Sequence, residues 1–154
     1  MPSRVRTRQR GFVLIAMSIS MFLMLAMMGL AFDIGRIYIA RNEAQIFTDA
    51  AALVAASKLD HTADGIKRAI DAVARVPDRW NLGTSAFTGV IVEFSQDGTK
   101  WEKIPQKPTD VTFARVTAPA NSVEITFLRA VGGPAAFVVP AHSVAASSPV
   151  RLIE

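Results

Sequence analysis

The sequence predicts an α+β protein in which a long N-terminal transmembrane helix extends into a small domain with an antiparallel sheet packed on helices. Two observations support this fold class. Residues 11–32 contain neither a charge nor a proline, and the residues after 60 show one helical pattern followed by short β-type patterns. At 154 residues the chain has room for one modest domain besides the membrane segment.

The net charge of +4 lies in the first ten residues, because the basic and acidic residues of the remaining chain are equal in number. A basic cluster directly before an apolar run holds an N-terminus on the cytoplasmic side. We therefore predict that residues 1–10 form a cytoplasmic tail and that nucleic acid is not a partner. The predicted topology determinants are Arg4, Arg6, Arg8 and Arg10.

The predicted transmembrane helix is the 22-residue apolar run of residues 11–32. At 1.5 Å per residue it spans about 33 Å, which matches one crossing of a bilayer. The alternative is a cleaved signal peptide ending near Gly29-Leu30-Ala31, but the run is longer than such peptides use. Within it, the methionine stripe and the Ala16–Ser20 pair predict either a packing face or ordinary lipid-facing residues. The stripe consists of Met17, Met21, Met24 and Met28.

The helical pattern continues beyond the membrane through residues 33–59, which contain no proline. A narrow, alanine-rich apolar face recurs at steps of three and four residues. Such a face allows close approach but buries little apolar area per residue, so it needs a partner. That partner is either the chain's own distal domain or copies of the same helix. The possible helix-packing face consists of Ile37, Ala40, Ala44, Phe47, Ala51 and Ala55.

Residues 60–154 are predicted to form the small α+β domain. A second helix begins at a cap on Thr62 or Asp64 and ends before Pro77. Residues 90–104 predict a hairpin that turns at 96–98, and residues 111–118 predict a third strand. The capping-box spacing of residues 121–124 favours a short helix over residues 122–131, although its β-branched residues favour a strand. Residues 137–146 predict a last strand, interrupted by Pro140.

No catalytic, cofactor-binding or metal-binding constellation is predicted. His61 and His142 are isolated in sequence, and Trp80 and Trp101 are interpreted as packing residues. The chain has no cysteine, which excludes disulfides and thiolate sites. We therefore expect a protein that is not an enzyme and that has no small-molecule partner.

The stretch from Arg10 through Leu59 resembles the N-terminal region of the TadE/TadG-like proteins of the tight-adherence (Flp) pilus assembly system. The resemblance consists of the basic start, the apolar run, the segment 33–38 and the segment 49–56. Weaker similarity follows in residues 114–127, at Gly132 and in residues 144–146. The motif residues are Gly11, Asp33, Gly35, Arg36, Tyr38 and Asp49.

The resemblance implies a pilin-like architecture and a structural component of a pilus or secretion apparatus in the bacterial inner membrane, with its soluble part in the periplasm. Its implied partners are the lipid bilayer and other pilus-assembly proteins or copies of itself. The alternatives are a pilin-like filament subunit and a tethered ligand-binding domain. Residues 11–15 resemble the start of a processed type IV pilin, but Ala16 stands where pilins carry glutamate. The larger relatives' metal-binding adhesion domain is not expected, because this chain lacks its length and its D-x-S-x-S motif.

Overall fold

The computed structural model describes residues 9–119 and 121–147. Its longest element is helix α1, Gln9–Ser57, whose 49 residues extend about 74 Å. Residues 11–28 of this helix are exposed, whereas much of its second half is buried beneath the rest of the chain. In the described part of the chain, α1 is the one helix long and apolar enough to cross a membrane. The predicted α+β fold class is confirmed.

A three-stranded antiparallel sheet packs against the second half of α1. Its strands are β3 (Ile91–Ser95), β4 (Phe113–Ala118) and β7 (Ala141–Ala146), with β4 in the centre. Alternate residues of β4 and β7 are buried, as expected for a sheet with one face on a core. Both strands contact α1 directly.

Helix α2 (Ala63–Val73) completes the core beside α1. Its N-cap is Thr62, whose hydroxyl accepts a 3.0 Å hydrogen bond from the Gly65 amide. Ile66, Ala69 and Val73 are buried against α1, whereas Ile70 is partly exposed. The helix ends at Val73, four residues before Pro77.

Two short ladders lie at the edges of the domain. One pairs β1 (Arg79–Trp80) with β2 (Ser85–Ala86), and the other pairs β5 (Ser122–Glu124) with β6 (Ala136–Val138). A four-residue helix, α3 (Phe127–Ala130), lies in the connection between β5 and β6. Trp80, Phe87 and Phe47 stack in succession, with ring centroids 5.2 and 4.7 Å apart, and this stack joins the first ladder to α1.

Three local predictions were wrong or incomplete. The returning half of the predicted 90–104 hairpin makes only a single bridge, between Phe94 and Glu102, and the strand that forms a ladder with β3 is β4. Residues 122–124 are a strand, because β6 offers them a backbone partner, and the helix covers only residues 127–130. Residues 137–146 are divided between β6 and β7, which lie in different ladders on either side of Pro140.

Candidate functional site: the two faces of the long helix

The inward face of α1 lies under the chain's own sheet. Ala40, Ala44, Ala51 and Ala55 are fully buried, Phe47 is nearly so, and Ile37 is half-buried. Methyl side chains bring the backbones of helix and sheet close together, which allows one helix to support both β4 and β7. The structure therefore places the alanine-rich face against the chain's own domain.

Asp33, directly after the C-terminal end of the apolar run, holds α3 against α1. Its buried carboxylate accepts hydrogen bonds from the amides of Thr126, Phe127 and Leu128, at 3.2, 2.8 and 2.6 Å. These amides lie at the start of α3, where the helix itself supplies no acceptors. A carboxylate also complements the positive end of the helix dipole. Asp33 therefore acts as an N-cap supplied from a distant part of the chain.

Gly29 provides the space into which α3 fits. A Cβ atom at this position would lie 2.7 Å from the ring of Phe127. The same ring packs edge-on against Phe32, with centroids 5.7 Å apart. About one turn of α1, residues 29–33, thus provides both a hydrogen-bond acceptor for α3 and the space in which Phe127 packs.

Asp49 takes part in a polar network between α1 and β7. The Ser143 hydroxyl donates to the Asp49 carboxylate, and it lies 2.9 Å from the Thr48 hydroxyl. The Gln45 amide donates both to the Ser143 hydroxyl, at 3.0 Å, and to the Asp49 carboxylate, at 2.9 Å. Thr48 and Ser143 are buried, so this network fixes the position of β7 along the helix.

A third contact joins α1 to the turn after β1. Asn81, Leu82 and Gly83 all have positive φ values, of 53°, 59° and 78°. Successive residues in such conformations form an anion-binding concavity of backbone amides. The Glu43 carboxylate fills it, accepting from the amides of Asn81 and Leu82 at 2.5 and 3.2 Å. Arg36 adds a longer bond of 3.4 Å to the Asn81 side chain.

The outward face of α1 carries large apolar side chains that the described chain leaves uncovered. Ile34, Tyr38, Ile46 and Leu53 are 57, 73, 60 and 65% exposed. Gly35 lies on this side, and a Cβ there would meet nothing within 4 Å. Tyr38 also lines a shallow cleft of about 220 Å³ with Arg41, Asn42 and Gln45. The face is therefore accessible to another molecule along most of its length.

Residues 11–58 match the sequence model of the family described as "Putative Flp pilus-assembly TadE/G-like". This segment is TadE/G-like. The match covers about a third of the chain and coincides with α1 almost end to end. Comparison with curated proteins and comparison with solved structures gave no match. The resemblance found in residues 10–59 is confirmed over residues 11–58, and the match supports a role related to pilus assembly in general terms. The weaker similarity after residue 114 stays a prediction.

The motif residues of the TadE/G-like segment fall into two groups. Asp33, Arg36 and Asp49 bind other parts of the chain, whereas Gly35 and Tyr38 lie on the outward face. Gly11 is exposed near the start of α1. Sequence reasoning missed further contact residues, namely Gly29, Glu43, Thr48 and Ser143.

The apolar part of the TadE/G-like segment is exposed on all sides up to residue 28. Met17, Met21, Met24 and Met28 are each about two-thirds exposed, so the methionine stripe is uncovered in the described chain. Arg4, Arg6 and Arg8 lie outside the described residues. Arg10 lies within α1, and its side chain is also outside the described part.

Outside the TadE/G-like segment, one aspartate organises the turn after β3. Asp97 accepts from the amides of Thr99 and Lys100 and from the Ser95 hydroxyl, at 2.8, 3.1 and 3.1 Å. The bonds from Thr99, and then from Lys100 and Ser95, hold the pKa of Asp97 well below its usual range. The Nδ1–H of His61 donates to the Thr109 carbonyl at 3.0 Å, and His142 is exposed on β7. The described residues include no group of three His, Asp or Glu that could hold a metal ion.

Proposed function

We propose that the chain is a membrane-anchored structural component of a Tad/Flp-type pilus assembly apparatus, acting through protein–protein contacts on the outward face of α1. The observation that carries this proposal is the coincidence of the family match with α1, whose inward face holds the domain and whose outward face is uncovered. Large apolar side chains that recur along one exposed face make that face a candidate interaction surface.

In this proposal residues 11–32 cross the inner membrane, residues 1–10 lie in the cytoplasm, and residues 33–59 carry the 60–154 domain in the periplasm. The four arginines of the tail set this orientation through the positive-inside rule. A phosphatase reporter fused after residue 147 should be active only in the periplasm. An inactive fusion at this site, together with an active one at the N-terminus, would reverse the topology.

Site-specific photo-crosslinking tests the contact face. A photoreactive phenylalanine analogue replaces Leu53 on the outward face, or Ile104, which is 82% exposed in a loop of the domain away from α1. We expect adducts with other pilus-assembly proteins, or with a second copy of the chain, from position 53 and not from position 104. Equal adduct patterns, or none at position 53 in cells that assemble pili, would contradict the proposal.

The alternative function is a filament subunit of pilin type. It is favoured by one observation, a 49-residue helix whose first half is bare and whose second half packs on an antiparallel sheet. Incorporation by the usual pilin route requires cleavage after Gly11. Mass spectrometry of the mature N-terminus decides this, because an intact segment through residue 11 excludes that route.

A further inference from the structure

Helix α3 lies beside the apolar part of α1 rather than beside its polar extension. Between them runs a groove of about 410 Å³, walled on α1 by Phe22, Ala26 and Leu30 and on the other side by Leu128 of α3 and by Val131, the residue after α3. None of the residues that line it is charged. The tip of the β5–β6 connection is therefore in contact with the membrane-spanning segment.

The contacts also show how far α3 descends along α1. Its first amides bind Asp33, just beyond the apolar run, and the groove that it borders extends back to Phe22. Eleven helical residues correspond to about 16 Å along the axis. If residues 11–32 span the bilayer, α3 lies at the depth of the outer leaflet.

Most backbone amides of this tip donate to acceptors within the protein. Asp33 accepts from three amides at the start of α3, and the amides of Val131, Gly132 and Gly133 donate to carbonyls within the tip, at 2.9–3.2 Å. The Ile125 amide donates to the Ala135 carbonyl at 2.8 Å. Non-helical backbone is tolerated at membrane depth only when its polar groups find such partners.

The sequence of the tip is also suited to lipid. Residues 125–141 contain a single charged side chain, Arg129, and the Gly132-Gly133-Pro134 break makes the segment too short to cross a bilayer. Phe127 and Val131 are 47 and 67% exposed in the described chain. The exposed Arg129 has a long stem, which allows its guanidinium to reach the polar interface from an apolar position.

We propose that residues 126–133 form a second membrane-inserted element, and that phospholipid acyl chains fill the groove between α3 and α1. Lipid is the occupant because the groove is continuous with the bare, apolar surface of residues 11–28, which the bilayer covers in the proposed function. The inference rests on that anchoring. With both α1 and residues 126–133 inserted, the domain would be held against the membrane in a fixed orientation. With α1 alone inserted, the domain would be free to change its orientation.

The absence of cysteine makes single-site labelling direct. Val131→Cys, Met24→Cys and Ile104→Cys in the full chain are each labelled with a small fluorophore and reconstituted in phosphatidylethanolamine–phosphatidylglycerol vesicles. All three positions are largely exposed, so the replacements leave the core intact. Ala130→Cys is a second probe of the tip. Quenching by acyl-brominated lipid reports contact with chains, and quenching by aqueous iodide reports contact with water.

We expect Val131→Cys to behave like Met24→Cys, with iodide quenching several-fold weaker and brominated-lipid quenching several-fold stronger than at Ile104→Cys. Water access at positions 130 and 131, with lipid contact at position 24, would overturn the inference and leave the anchor intact. Weak quenching of both kinds at the tip would overturn it in favour of a protein occupant. Water access at position 24 would remove the anchor itself, and the inference with it.

Discussion

The two faces of the C-terminal half of α1 carry opposite kinds of side chain. The inward face is mainly alanine, and its alanines are fully buried, whereas the outward face carries Ile34, Tyr38, Ile46 and Leu53 and is mostly exposed. A helix whose only task was to support its own domain would place its large apolar residues inward. This reversed arrangement indicates that the inward face allows helix and sheet to approach closely and that the outward face keeps apolar surface available for another molecule.

The largest expected effect comes from enlarging the inward face. Ala51→Leu adds a branched side chain at a fully buried position, and overpacking of this kind costs about 1–3 kcal/mol. We expect the free energy of unfolding of the detergent-solubilised chain to fall by that amount, measured by near-ultraviolet circular dichroism. For the comparison variant on the outward face, Leu53→Ala, the free energy of unfolding should change by less than about 0.5 kcal/mol. Equal losses would show that the two faces are packed alike.

The next effect compares two glycines on opposite faces of the same helix. Gly29→Ala forces the Phe127 ring away from α1, whereas the methyl group of Gly35→Ala meets nothing within 4 Å. We expect hydrogen exchange at the amides of Thr126, Phe127 and Leu128 to become roughly tenfold faster in Gly29→Ala, because overpacking costs on the order of 1–3 kcal/mol. Gly35→Ala should leave these rates unchanged and favour the helix slightly. Unchanged exchange in both variants would show that the packing of Phe127 against Gly29 does not stabilise α3.

A smaller effect is expected from the polar network on the inward side. Ser143→Ala removes a hydroxyl that contacts Gln45, Thr48 and Asp49, and a lost buried hydrogen bond costs about 1 kcal/mol. The expected result is a free energy of unfolding lower by about that amount, from denaturant titration. His142→Ala, one residue earlier and exposed, is the control and should change stability by less than about 0.5 kcal/mol. A neutral Ser143→Ala would mean that the alanine face alone positions β7.

Local patterns predicted the elements that are stabilised locally. The apolar run, the cap predicted at Thr62 or Asp64 and the strand patterns near residues 90–95 and 111–118 each lie within a short window, and each corresponds to an element in the structure. The cap on α3 could not be found in this way, because Asp33 and Leu128 are 95 residues apart. The helix prediction for residues 122–124 was wrong for a related reason. Their capping-box spacing is local, but pairing with β6 decides their conformation. The network at Ser143 likewise depends on the register of β7, which the sequence alone does not specify.

The smallest expected effect lies at the turn after β3, away from both faces of α1. The pKa of Asp97 is lowered by the bonds that it accepts from Thr99, Lys100 and Ser95, so its stabilisation is fully present above the unfolded value of about 3.9. That stabilisation is lost as the pH falls through the lower, folded pKa. We therefore expect amide chemical shifts of Thr99 and Lys100 to change only below pH ~4. Asp97→Asn keeps an acceptor but does not titrate, so the same shifts should be insensitive to pH in that variant. Changes at Thr99 that persist in Asp97→Asn would assign the acid response to another carboxylate.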